Sequence, residues 1–220
     1  FAIIFDMDGV LIDSEPAWRI AEQDVFSTLG VPLTEPMTHQ TTGLRIDEVV
    51  EYWRARYPFR GETAAVGARI TEAVAQWVRD SGEALPGALH SLAAIHTQKI
   101  PVGLATSSAP PLIEAVLERL HLEDTFRAIV SGSEVPRGKP DPAIYELCAR
   151  RMAIPVSRCV AIEDSVAGVQ SARLAGLACV AVGSPDVSKS DLLQAGAARW
   201  METLEELEIS ELGDLCEPTR

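Results

Sequence analysis

Ala2-Ile3-Ile4-Phe5-Asp6-Met7-Asp8-Gly9-Val10 opens the chain with four apolar residues that run straight into two carboxylates and a glycine. The run is apolar at every position rather than at alternate ones, so residues 2–5 read as a strand covered on both faces, as in a parallel sheet. In a doubly wound sheet the carboxyl ends of the strands face the ligand crevice. Asp6 and Asp8 are then expected at that crevice, with Gly9 letting the chain turn away. No basic residues precede the apolar run, so it is not expected to be a signal peptide. The native chain is expected to start a few residues earlier.

Four later segments repeat the pattern: residues 101–105, 128–131, 159–162 and 178–182. Helical patterns separate them at 87–98, 111–120, 142–152, 166–175 and 189–195. Strand and helix in alternation predict an α/β fold, a doubly wound parallel sheet of Rossmann-like type. Residues 15–82 differ, with no strand pattern but helical segments at 17–29, 45–57 and 64–78. In the last of these Val66, Ile70, Ala73 and Trp77 form an apolar stripe. The expected organisation is an α/β core made of 1–14 and 83–220, with an all-helical cap inserted over 15–82. Residues 201–214 read as a surface amphipathic helix.

Composition narrows the function classes. The 220 residues carry 32 Asp+Glu against 19 Lys+Arg, a formal net charge of −13, whereas a nucleic-acid surface needs a basic footprint. No apolar run approaches the ~18 residues of a membrane span. Cys148, Cys159, Cys179 and Cys216 include no C-x-x-C pair, so they read as buried, inert thiols rather than a disulfide framework or zinc cluster. A soluble, cytoplasmic monomer is expected, since so acidic a surface disfavours self-association.

Three further strand ends carry polar residues. Thr106-Ser107-Ser108 precedes a helix whose free N–H groups suit an anion; Thr106 sits nearest the strand, and Ser108 is expected to cap the helix. Lys139, in Gly138-Lys139-Pro140, offers an ammonium held on extended backbone. Glu163-Asp164 places two carboxylates at the close of an apolar strand, a poor choice unless they are paired or bind a cation. Oxygen-only ligands point to Mg²⁺. Taken singly, each has a plain alternative: Asp6-x-Asp8 as a solvated turn, Lys139 as a solvent lysine.

Taken in order, Asp6-Met7-Asp8-Gly9-Val10-Leu11-Ile12-Asp13-Ser14, Thr106-Ser107, Lys139-Pro140 and Glu163-Asp164-Ser165 resemble the four motifs of the haloacid dehalogenase-like hydrolases. The helical insertion resembles the C1 cap of their β-phosphoglucomutase-like branch. Residues 13–18, 42–47 and 52–56 resemble the hexitol phosphatases, also called 2-deoxyglucose-6-phosphate phosphatases.

The resemblance implies a Mg²⁺-dependent phosphatase of a small phosphorylated sugar or polyol. Asp6 is the implied nucleophile and Asp8 the general acid/base. Mg²⁺ would be held by Asp6, the Asp8 main-chain carbonyl and Asp164, with Glu163 beside or behind them. Thr106, the Ser107 N–H and Lys139 would hold the phosphoryl oxygens, and Arg45 would touch phosphate or sugar unless it is a surface arginine. Trp18 would stack on the sugar unless it belongs to the cap core. It stands about where the mutases are expected to carry a histidine, which favours a phosphatase. A β-phosphoglucomutase-type isomerase and a phosphatase of another small ester, such as phosphoglycolate, are the alternatives. His39, His90, His96 and His121 lie outside every motif and are expected to be structural or solvent-facing.

Overall fold

The structure is a computed structural model that describes residues 1–216. Among these residues six strands form one sheet: β1 (Ala2–Phe5), β2 (Val102–Thr106), β3 (Ala128–Ser131), β4 (Cys159–Glu163), β5 (Ala178–Val182) and β6 (Arg199–Met201). Their order is β3-β2-β1-β4-β5-β6 and every pairing is parallel. The chain builds outward from β1 to β3, then returns to the other side of β1. That reversal is the topological switch point at which α/β sheets place their ligands.

Successive side chains of a strand point to opposite faces, and β1 divides the core accordingly. Ile3 and Phe5 pack with Leu92 and Ile95 of α5 (Ala88–Thr97) and with Leu112 and Val116 of α6 (Pro110–Leu120). Ala2 and Ile4 pack with Ile144 and Cys148 of α7 (Ala143–Met152) and with Val169 of α8 (Val166–Ala175). Helices on both faces explain why the strands are apolar throughout. α9 (Lys189–Ala195) joins the α7–α8 side through Leu192.

Between β1 and β2 lie α1 (Glu15–Thr28), a short α2 (Glu35–Thr38), α3 (Ile46–Arg56) and α4 (Thr63–Ser81). α4 packs against α1, α3 and α6, which ties this helical layer to the α/β layers. Its buried row is Val66, Ile70, Val74 and Val78. The expected stripe therefore holds only for its first two members: Ala73 is exposed and Trp77 half-buried. With partners on several sides, the i, i+4 row of β-branched residues turns inward and the bulkier indole stays at the margin.

The expected amphipathic helix over 201–214 is not formed. Arg199–Met201 adds β6 to the open edge of β5, pairing Val180 with Arg199 and Val182 with Met201. The chain then breaks into a 3₁₀ turn at Leu204–Glu206 and the four-residue α10 (Ile209–Leu212). Leu204, Ile209 and Leu212 are buried, but the 3₁₀ turn and α10 carry them on separate short elements. Cys148, Cys159 and Cys179 are buried as expected, whereas Cys216 is only half-buried. All four histidines are exposed. No described helix is long and apolar enough to cross a membrane.

Candidate active site

The site starts where β1 stops. The Asp6 N–H still donates to the Ile162 carbonyl (3.0 Å) as part of the β1–β4 ladder, so the Asp6 carboxylate is aimed by the sheet itself. The chain then folds tightly, with the Leu11 N–H donating to the Met7 carbonyl at 2.8 Å. Gly9 has φ of +75°, and a Cβ there would overlap the Asp164 carboxylate. An L-residue in this conformation also costs about 1–2 kcal/mol. Gly9→Ala is therefore expected to displace Asp164 and to raise at least tenfold the divalent cation concentration that half-saturates the protein. An unchanged cation titration would contradict that placement.

Lys139 comes from the loop before α7 and is only 3% exposed, so it is not a solvent lysine. Its Nζ donates to Asp6 Oδ1 at 2.8 Å and to Glu163 Oε1 at 2.6 Å. Burial alone would lower the pKa of this ammonium, but Asp6 and Glu163 more than offset it and the net shift is upward. Burial raises the Asp6 carboxyl to about 7, against the lowering pull of Lys139 and with a further push from Glu163. Asp164 is also raised, by burial first and then by Glu163 and Asp6. The common cause is carboxyl groups enclosed together with too little positive charge.

Glu163 is 0% exposed and fully engaged. Oε1 accepts from Lys139 and from the Tyr145 hydroxyl (2.7 Å). Oε2 accepts from the Asp164 and Ser165 N–H groups and from Ser165 Oγ, at 3.1–3.3 Å. Carboxylate oxygens of Asp6, Glu163 and Asp164 lie within 4.8 Å of one another. Since the oxygens of Glu163 are already spent on five donors, Asp6 and Asp164 are the groups free to hold a cation. Among the described residues no Lys or Arg lies within 4.0 Å of Asp164. Buried carboxylates of this kind, short of positive charge, fit a hard divalent cation.

Asp8 is held by side chains from two segments. Oδ1 accepts from Ser14 Oγ and from the Trp18 indole (3.3 Å). Oδ2 accepts from Ser108 Oγ at 2.6 Å and, more weakly, from Thr106 Oγ1 at 3.4 Å. Ser108 is thus not the helix cap: Ala109 occupies the N-cap of α6, and the Ser108 hydroxyl is spent on Asp8. Thr106 Oγ1 also accepts from the Ser108 N–H at 3.1 Å, and Ser107 Oγ donates to the Gly43 carbonyl at 3.1 Å.

One cleft is lined by Asp6, Asp8, Thr106, Ser107, Lys139 and Asp164 from the α/β side and by Trp18, Glu15 and Glu22 from α1. Trp18 is half-buried. Arg45 does not line this cleft. Its guanidinium donates to the Gly132 and Val135 carbonyls (3.0 and 2.7 Å) and pairs with Asp47, so it ties the helical layer to the loop after β3. Sequence reasoning missed Ser14, Ser108, Tyr145 and Glu22.

A family model described as haloacid dehalogenase-like hydrolase matches residues 2–176. Hexitol phosphatase B of Escherichia coli (strain K12) is 39% identical over 187 residues, 84% of each chain. A phosphorylated carbohydrates phosphatase of Thermotoga maritima is 33% identical over 212 residues, 94% of this chain and 97% of that one. Among solved structures, CbbY from Rhodobacter sphaeroides in complex with phosphate superposes with a TM-score of 0.88 at 26% identity, covering 96% of this chain and 98% of that one.

Proposed function

The chain belongs to the haloacid dehalogenase-like hydrolases, and from that premise we propose that it is a Mg²⁺-dependent phosphatase of small sugar or sugar-alcohol phosphates, of the hexitol phosphate and 2-deoxyglucose 6-phosphate type. It is an enzyme, a phosphoric monoester hydrolase. The observation that carries the finer reading is the convergence of Asp6, Asp8, Lys139 and Asp164, from three separate stretches of sequence, in one cleft. Residues 1–14 and 83–220 serve as the catalytic core, and residues 15–82 act as the cap that covers it.

In this reading Asp6 attacks the phosphorus and forms an aspartyl-phosphate while the ester oxygen departs. Asp8 gives that oxygen a proton, then takes one from the water that attacks the aspartyl-phosphate, which frees Asp6 and inorganic phosphate. Lys139, Thr106 and the Ser107 N–H hold the phosphoryl oxygens. Asp6, Asp164 and the Asp8 carbonyl would hold Mg²⁺, which would supply charge neutralisation for the transferring phosphoryl group. Glu163 positions Lys139 and the Asp164 loop. Arg45 keeps the cap on the core rather than touching substrate.

Trp18 favours hydrolysis over isomerisation. Its indole N–H donates to Asp8, and an indole only donates, so it cannot exchange a proton with an intermediate retained for a second transfer. The test is phosphate release from a panel of monoesters by purified protein. Release is expected to need Mg²⁺, to stop with chelator and to return with added Mg²⁺, with hexitol 6-phosphates ranking above phosphoglycolate. The reverse ranking would overturn the substrate class, and conversion of glucose 1-phosphate to glucose 6-phosphate without phosphate release would favour the isomerase.

A further inference from the structure

Along α1, Glu15, Trp18 and Glu22 recur at i, i+3 and i+7, one face of a helix, and that face forms a wall of the cleft. Seven helical residues advance the chain by roughly 10 Å, so Glu22 stands about two turns beyond the end of α1 at which Asp8 is held. The phosphoryl chemistry makes no use of it. Yet Glu22 is 6% exposed, and its Oε2 has no hydrogen-bond partner among the described residues. Burial, reinforced by Glu15, raises its carboxyl to about 8. A buried polar atom with no partner is destabilising, and one beside a ligand cleft is completed when the ligand supplies the missing group.

The chemistry around Glu22 says which group that is. Thr38 and Thr41 also line the cleft, but their hydroxyls donate to the Glu35 and Thr38 carbonyls (2.8 and 3.0 Å). Only their lone pairs remain for a ligand. Arg19 is the cation on the cap side among the described lining residues, and it faces the carboxylates of Glu15, Glu35 and Asp186 at 3.5–3.9 Å. A ligand carboxylate or second phosphate would meet Glu15 and Glu22 with no free cation to receive it. A hydroxyl, which both donates and accepts, pairs with Glu22 in either protonation state.

We propose that Glu22 is a specificity-determining residue that pairs with a hydroxyl at the end of a neutral polyol phosphate remote from the phosphate, an assignment that rests on the phosphatase reading above. The experiment compares wild type, Glu22→Leu and Glu22→Gln on sorbitol 6-phosphate and on p-nitrophenyl phosphate, which has no hydroxyls. The ratio of kcat/KM for the hexitol ester to that for the aryl ester is expected to fall at least tenfold in Glu22→Leu, mainly through KM. Glu22→Gln, which keeps a hydrogen-bonding group, is expected to lie between, and neither variant to melt below wild type.

A Glu22→Leu ratio within twofold of wild type overturns the assignment. So does a melting temperature that falls together with both activities, since that marks a structural role. A wild type that hydrolyses p-nitrophenyl phosphate but no polyol phosphate overturns the polyol reading itself, and is told apart by needing no variant.

Discussion

Asp6→Asn is expected to abolish phosphate release, by on the order of 10⁴-fold or more, while the protein stays folded. The loss follows from chemistry: an amide cannot attack phosphorus and leave again as a carboxylate. The retained fold follows from geometry. Asp6 Oδ1 accepts from Lys139, a bond that an amide oxygen keeps, and the substitution removes one of three carboxylates crowded within 4.8 Å. Phosphate release from p-nitrophenyl phosphate and a thermal melt measure the two halves. A variant that keeps a tenth of wild-type activity would remove Asp6 from the role of nucleophile.

Lys139→Met is expected to be the most damaging single change to stability, about 3–5 kcal/mol, because it leaves buried negative charge without its ammonium. Lys139 lies between Asp6 and Glu163, and Glu163 has no route to solvent at 0% exposure. Its other four donors, Tyr145, the Asp164 and Ser165 N–H groups and Ser165 Oγ, are neutral and do not replace a charge. Adding Glu163→Gln should recover much of the stability and none of the activity, since the phosphate would still lack its cation. Urea unfolding in the presence of chelator separates these effects from metal binding. A single variant as stable as wild type would contradict the pairing.

The two predictions differ in how far sequence alone leads to them. β3 and β5 were legible to the residue, because short apolar runs bounded by polar punctuation leave few alternatives. β6 was not: Arg199 and Trp200 are exposed or half-buried, so the edge strand carries no apolar run, and its pairing is set by the open edge of β5. Asp6 and Asp164 announce themselves as charges at the ends of apolar strands. Lys139 does not, and only its place in the ordered set of motifs separates it from a solvent lysine.

Ser14, Ser108 and Tyr145 were illegible for a different reason. Each acts through a partner 6, 100 or 18 residues away, and a serine or tyrosine carries no mark of which distant group it will meet. Arg45 shows the converse. Its motif resembles one that contacts ligand, but in this fold the side chain reaches backbone carbonyls of the α/β core instead.

The most direct test of the central claim, that Asp6 carries the phosphoryl group between two half-reactions, is to trap it there. Asp8→Asn, mixed with Mg²⁺ and p-nitrophenyl phosphate, has a leaving group that departs without a proton donor but lacks the base that activates water. After acid quench and proteolysis, mass spectrometry is expected to find a phosphoryl adduct on Asp6 that hydroxylamine removes. Turnover with no adduct, or an adduct on any other residue, would contradict the account.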